Sequence, residues 1–137
     1  MEKSKGNLKR RIAEEMTVDY ASALEKNFDL AKQFIRITRE GNVDILFKDK
    51  LTGEERIRLY LVGKLYAREA GLAATNEAEN KELMDELGIP RGSLYPWLKG
   101  LRDKNMIKQV GKERHVIPVN LVERTLKSIE KKLKKSA

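Results

Sequence analysis

Anion recognition is the chemistry for which this sequence is best supplied. Arg91, Lys99, Arg102, Lys104, Lys108, Lys112 and Arg114 fall within one stretch, separated by apolar residues. Guanidinium and ammonium groups at that density suit phosphate oxygens, which they neutralise and hydrogen-bond. Arg and Lys also match the acceptors N7 and O6 of guanine, which face the major groove. Ser93 and Tyr95 add two hydroxyl groups to the same stretch.

Other chemistries lack their residues. There is no cysteine, which excludes disulfides, thiolate metal sites and thiol catalysis. His115 is the only histidine, and in a basic strand it reads as a phosphate contact or plain surface. Glu14-Glu15 and Glu54-Glu55 are adjacent on helical segments, where neighbours diverge by about 100° and do not converge on a substrate. They read as helix-face charge and dipole compensation. Gly63-Lys64 is followed by Leu65 and Gly111-Lys112 by Glu113, so neither forms the Gly-Lys-Ser/Thr loop that cradles phosphates. No enzymatic activity, metal or cofactor is expected.

The cations are unevenly placed. The chain has 137 residues, enough for one domain with a modest core, and a formal charge of +8. Residues 1–90 hold 16 basic and 17 acidic side chains, whereas residues 91–137 hold 13 and 4. The excess therefore belongs to the last third, and it implies an acidic partner, nucleic acid first. Lys131, Lys132, Lys134 and Lys135 fit a solvated tail; the earlier cations fit a binding footprint. The densest apolar run, Leu59-Tyr60-Leu61-Val62, is far shorter than the ~20 residues of a membrane-spanning helix. With charge filling the N-terminus and no apolar stretch after it, no leader is expected. No membrane partner and a cytoplasmic, nucleoid-associated location are expected.

Several elements must position these residues. Residues 1–7 are polar and expected to fray. Leu8, Ile12, Met16, Tyr20, Leu24, Phe28, Ala31 and Ile35 recur at helical spacing, with a possible break at Asn27-Phe28-Asp29 and Gly41 as a left-handed helix end. Val43 to Lys48 is β-prone. Thr52-Gly53-Glu54-Glu55 is a capping box for a helix that buries Ile57, Leu61 and Leu65 and stops near Gly71. After a loop over 72–80, a short helix turns Leu83, Met84 and Leu87 inward and stops at Gly88. A second helix over about 91–104 has Leu94, Leu98 and Leu101 on one face and Trp97 on its flank. Pro96 falls at its fourth or fifth position, where a missing N–H costs little. A β-hairpin over about 107–118 follows. Asn120-Leu121-Val122-Glu123 is a second candidate capping box, opening a helix with Val122, Leu126, Ile129 and Leu133 on one seam.

Over residues 53–119 this pattern resembles the winged helix-turn-helix family of DNA-binding regulators. Gly92-Ser93-Leu94-Tyr95-Pro96, followed by Leu98 and Leu101, is similar to the recognition-helix signature of PadR-type repressors. Pro118-Val119-Asn120 leads into a different helix, and residues 1–50 have no counterpart in the resemblance. The resemblance implies a mainly α fold with a small β wing (α+β), in three parts. These are an N-terminal helical extension with a short strand (1–50), the winged helix (51–119) and a basic amphipathic helix (120–137). It further implies a regulator of transcription that binds duplex DNA. Arg91, Ser93, Tyr95 and Lys99 would read bases; Arg102, Lys104, Lys108, Lys112 and Arg114 would hold phosphates. Tyr95 could instead pack on the wing, and Trp97 fits core or interface better than a stacking platform. A homodimer through the N-terminal and/or C-terminal helices would match a palindromic site. Two alternatives stay open: a low-specificity architectural or chromatin-type binder, because Gly92 and Pro96 offer no donor, and a protein-interaction module of a larger complex.

Overall fold

The computed structural model describes residues 2–16 and 19–136. It is mainly helical, with two small antiparallel sheets. The central element is helix α4 (Gly53–Glu69). The expected capping box opens it: Thr52 Oγ1 accepts from the Glu55 amide (3.2 Å), and Glu55 Oε1 accepts from the Thr52 amide (2.8 Å). Ile57, Leu59, Leu61, Val62 and Leu65 are all fully buried. A helix apolar on more than one face needs cover on more than one side, and α4 has it.

The first cover comes from the N-terminal part, where the structure departs from the sequence reading. The helical stripe expected from Leu8 to Ile35 is three helices and a strand. Helix α1 (Glu2–Arg11) continues as a π-helical segment, Ile12–Met16, so the fraying expected at the N-terminus is replaced by helix from Glu2. Thr17 and Val18, which the stripe crosses, lie outside the described residues, as does Met1. Helix α2 (Tyr20–Lys26) is capped by Asp19, and α3 (Phe28–Ala31) follows Asn27. Ile35 then opens strand β1 (Ile35–Ile37), which pairs antiparallel with β2 (Val43–Ile45). The run of β-prone residues is thus half of a hairpin. Gly41 is left-handed (φ 89°) as expected, but it closes the hairpin turn and no helix. This hairpin lies on α4.

Helix α5 (Asn80–Leu87) ends at Gly88, whose φ of 64° is the left-handed stop that glycine adopts without strain. Ile89, buried, anchors the turn, and α6 (Arg91–Asp103) begins after Pro90. Strands β4 (Lys108–Gln109) and β5 (Arg114–Val116) form the expected hairpin. The loop expected over 72–80 ends in a short strand, β3 (Ala78–Glu79), which pairs with β5. The sheet order is β3-β5-β4.

Helix α7 (Val122–Ser136) packs back on α4, and Val122, Leu126 and Ile129 are fully buried. Its start differs from the expected box at Asn120: Val119–Leu121 is a 3-10 turn after Pro118. Lys132 is no solvated tail residue, because its Nζ donates to Glu55 Oε1 at 2.5 Å. One hydrophobic cluster runs from Leu24 through Ile129. Among the described residues no helix is long and apolar enough to cross a membrane.

Candidate nucleic-acid interface

Helix α6 presents the face that its sequence period implies. Leu94, Leu98 and Leu101 are buried to 1% exposure or less and fix the helix on the core. Trp97 is half-buried on the flank, against Gly53; a β-carbon there would collide with the indole ring. Trp97 is therefore a packing residue. Arg91, Gly92, Tyr95, Pro96, Lys99 and Asp103 face solvent. Helix α6 starts at Arg91, which makes Pro96 its sixth residue, one or two later than expected. The helix stays continuous, with one intrahelical bond lost at the missing N–H.

The nine expected contact residues divide by what already holds them. Arg91 places its guanidinium 5.7 Å from the centre of the Tyr95 ring, so the two form one exposed cation–π unit at the start of α6. Tyr95 is 41% exposed and does not pack on the hairpin as a buried residue. Ser93 is half-buried, in the first turn of the helix. Lys99 is paired with Asp103 (3.0 Å), Lys104 lies 3.9 Å from Glu54, and Arg114 lies 3.6 Å from Glu77. Arg91, Arg102, Lys108 and Lys112 form no ion pair among the described residues. Lys112 occupies the tip of the β4–β5 hairpin, between Gly111 (φ 85°) and Glu113 (φ 62°).

His115 overturns its sequence reading. It is 2% exposed, and its Nε2 meets Asn80 Oδ1 at 2.7 Å, so it is neither surface nor available to phosphate. With an amide oxygen as its partner, Nε2 is the donor to Asn80, and Nδ1 has no partner among the described residues. Burial, with the nearby Arg102 charge, pushes its pKa down to about 4. The Asn80 amide also donates to Glu113 O (3.0 Å), so the first residue of α5 clamps the hairpin through backbone and side chain together. Sequence reasoning missed this clamp because its partners are far apart in the chain. The only local signal was an Asn at a helix start.

A buried cation also escaped the sequence reading. Arg58 on α4 is 7% exposed and donates from Nη2 to Thr125 Oγ1 (3.1 Å), holding α7 to α4. Desolvation lowers its pKa, with Arg124 nearby adding to the effect. It faces the α4–α7 seam and belongs to the scaffold. Among the described residues no group of three or more His, Cys, Asp or Glu is placed to hold a metal.

The candidate interface thus consists of an exposed helix face led by Arg91 and Tyr95, a half-buried Arg102 behind it, and a hairpin carrying Lys108, Lys112 and Arg114. Comparison of the chain with protein-family models, with characterised proteins and with solved structures finds no match.

Proposed function

We propose that this chain is a winged-helix protein that binds duplex DNA and regulates transcription at selected sites, with α6 in the major groove and the β4–β5 hairpin as the wing. The observation that carries the reading is the order helix, strand, helix, helix, strand, strand from α4 to β5, closed by the β3-β5-β4 sheet, with a solvent-facing α6. Support also comes from charge, since residues 91–137 hold the whole of the net positive excess. Arg91 and Tyr95 read base edges; Lys108 and Lys112 hold phosphates.

Selection of bound duplexes from a random pool tests this directly. A recovered consensus supports sequence-selective binding; no recovery above background at low salt overturns DNA binding. Neutralising about five phosphates gives a log–log salt slope near −4 to −5. Arg91→Ala should cost about 1–3 kcal/mol of discrimination between sites, while Lys112→Ala should weaken all sites alike and reduce the slope by about 1.

A second reading, low-specificity architectural binding, is favoured by one observation. Gly92 and Pro96 leave bare positions on the α6 face, and the neighbouring Lys99 is tied to Asp103. Salt-dependent binding with equal affinity for all sequences selects it.

A further inference from the structure

The N-terminal arm, Glu2–Met16, is amphipathic, and none of its described side chains is buried. Leu8, Ile12 and Met16 recur at four-residue spacing, which places them along one helix face. Their exposures are 58%, 42% and 78%, and every side chain from 7 to 16 is exposed. A helix of this length is marginal alone in water, and burying that stripe would stabilise it. Its flank is cationic. Arg11 is held by Glu15 (3.1 Å), but Lys9 has no carboxylate partner among the described residues, and Arg10 bonds only Asn7 Oδ1 (3.4 Å).

A surface of matching chemistry lies where α2 and α3 meet the end of α4. Leu24, Phe28 and Tyr66 floor an open apolar groove, and Phe28 stands 52% exposed against the Tyr66 ring. The rim is acidic, formed by Glu25, Asp29 and Glu69. Asp29 is shared with Lys32 (3.4 Å), whereas Glu25 and Glu69 have no cationic partner among the described residues.

We infer that the arm of one copy docks in this groove of a second copy, and reciprocally, so that the chain forms a two-fold dimer by arm exchange. The surfaces match twice over: Leu8, Ile12 and Met16 against the apolar floor, and Lys9 and Arg10 against Glu25 and Glu69. Helix α7 offers no equivalent, because Val122, Leu126 and Ile129 are spent on its own core. The arm does not occupy its own groove, since its stripe is exposed. The inference stands on these two surfaces and does not depend on DNA binding. Two-fold exchange in a DNA-binding chain would present two copies of α6 to an inverted repeat.

Light scattering or sedimentation of the full chain, from about 1 µM to about 100 µM, measures the dimer. Leu8→Asn with Ile12→Asn should give a folded monomer, as judged by circular dichroism. Glu25→Lys with Glu69→Lys should weaken the dimer roughly tenfold or more, as should Lys9→Glu with Arg10→Glu. Both reversals in one chain should restore it. The absence of cysteine allows a clean cross-link: Ile12→Cys chains mixed with Ala21→Cys chains should join through a short bis-maleimide. A wild-type monomer at about 100 µM overturns the inference. So does a dimer indifferent to these changes, a failed charge rescue, or a cross-link that forms only within one doubly substituted chain.

Discussion

The ring of His115 sits at the base of the β4–β5 hairpin with Asn80 on one side and no partner on the other. Its pKa in the fold is about 4, against an ordinary 6.5. Above pH 6.5 the ring is neutral folded or unfolded, and the difference has no effect on stability. As pH falls from 6.5 to 4, the unfolded chain takes up a proton that the folded chain refuses, so stability falls with pH. The full loss is about 3 kcal/mol, at about 1.4 kcal/mol per pH unit. Denaturant midpoints across this range should therefore drop more steeply for the wild-type chain than for His115→Gln, which keeps an amide donor near the Nε2 position. Parallel profiles would show that the ring is free to protonate in the fold. Nothing in the neighbouring residues marks His115 as buried. The strand around it is basic, and both Asn80 and the Arg102 charge come from other elements. The Arg91–Tyr95 contact needs no such distant partner, because residues four apart on a helix meet by geometry alone, though the sequence reading did not pair them.

Among the elements, α4 joins two kinds of stabilisation at one residue. Glu55 closes the capping box with Thr52 and accepts from Lys132 of α7. Its carboxyl is held below the usual range: the Lys132 and Thr52 hydrogen bonds outweigh desolvation, the largest single influence, which acts in the opposite direction. Thr52→Ala removes the cap alone and should cost about 1 kcal/mol. Glu55→Ala also frees α7 at its C-terminal half and should cost more, with the excess absent in a Lys132→Ala background. Equal costs in both backgrounds, measured by urea denaturation, would mean that Lys132 contributes nothing. The box was legible because it is written within four consecutive residues. The pair α5–α6 was legible because two 3.6-residue periods meet at a glycine. Strand β1 was not: Ile35 falls four residues after Ala31 and continues the helical spacing, and only pairing with Ile45 across the hairpin makes it a strand. Strand β3 was hidden for a related reason. Ala78 and Glu79 have little β propensity, and β5 imposes the extended form on them.

At the scale of the molecule, charge and packing divide the chain differently. The charge boundary falls near residue 91 and the family resemblance begins near residue 53, but the hydrophobic cluster ignores both. Leu24, Phe34, Ile35, Val43, Ile45 and Leu51 are buried against the same core as α4 to α7. The β1–β2 hairpin approaches α4 so closely that a β-carbon at Gly63 would collide with Val43. Burying six side chains of this size contributes on the order of 10 kcal/mol. That is comparable to the whole net stability of a domain, about 5–15 kcal/mol. Two truncations should therefore behave oppositely. A chain starting at Asp19 loses only the arm, whose described side chains cover nothing, and should keep a cooperative thermal transition as a monomer. A chain starting at Thr52 keeps the entire interface and most of the positive charge, but it strips the face of α4 that carries Leu59 and Val62. It should lose cooperative unfolding, expose apolar surface to dye and aggregate. If the shorter fragment instead melts cooperatively near the full-length midpoint, residues 19–51 are an accessory layer and α4 finds its cover elsewhere. The hairpin β1–β2 thus has a function in the proposed DNA-binding protein without touching DNA: it holds rigid the helix on which α5, α6 and α7 are built.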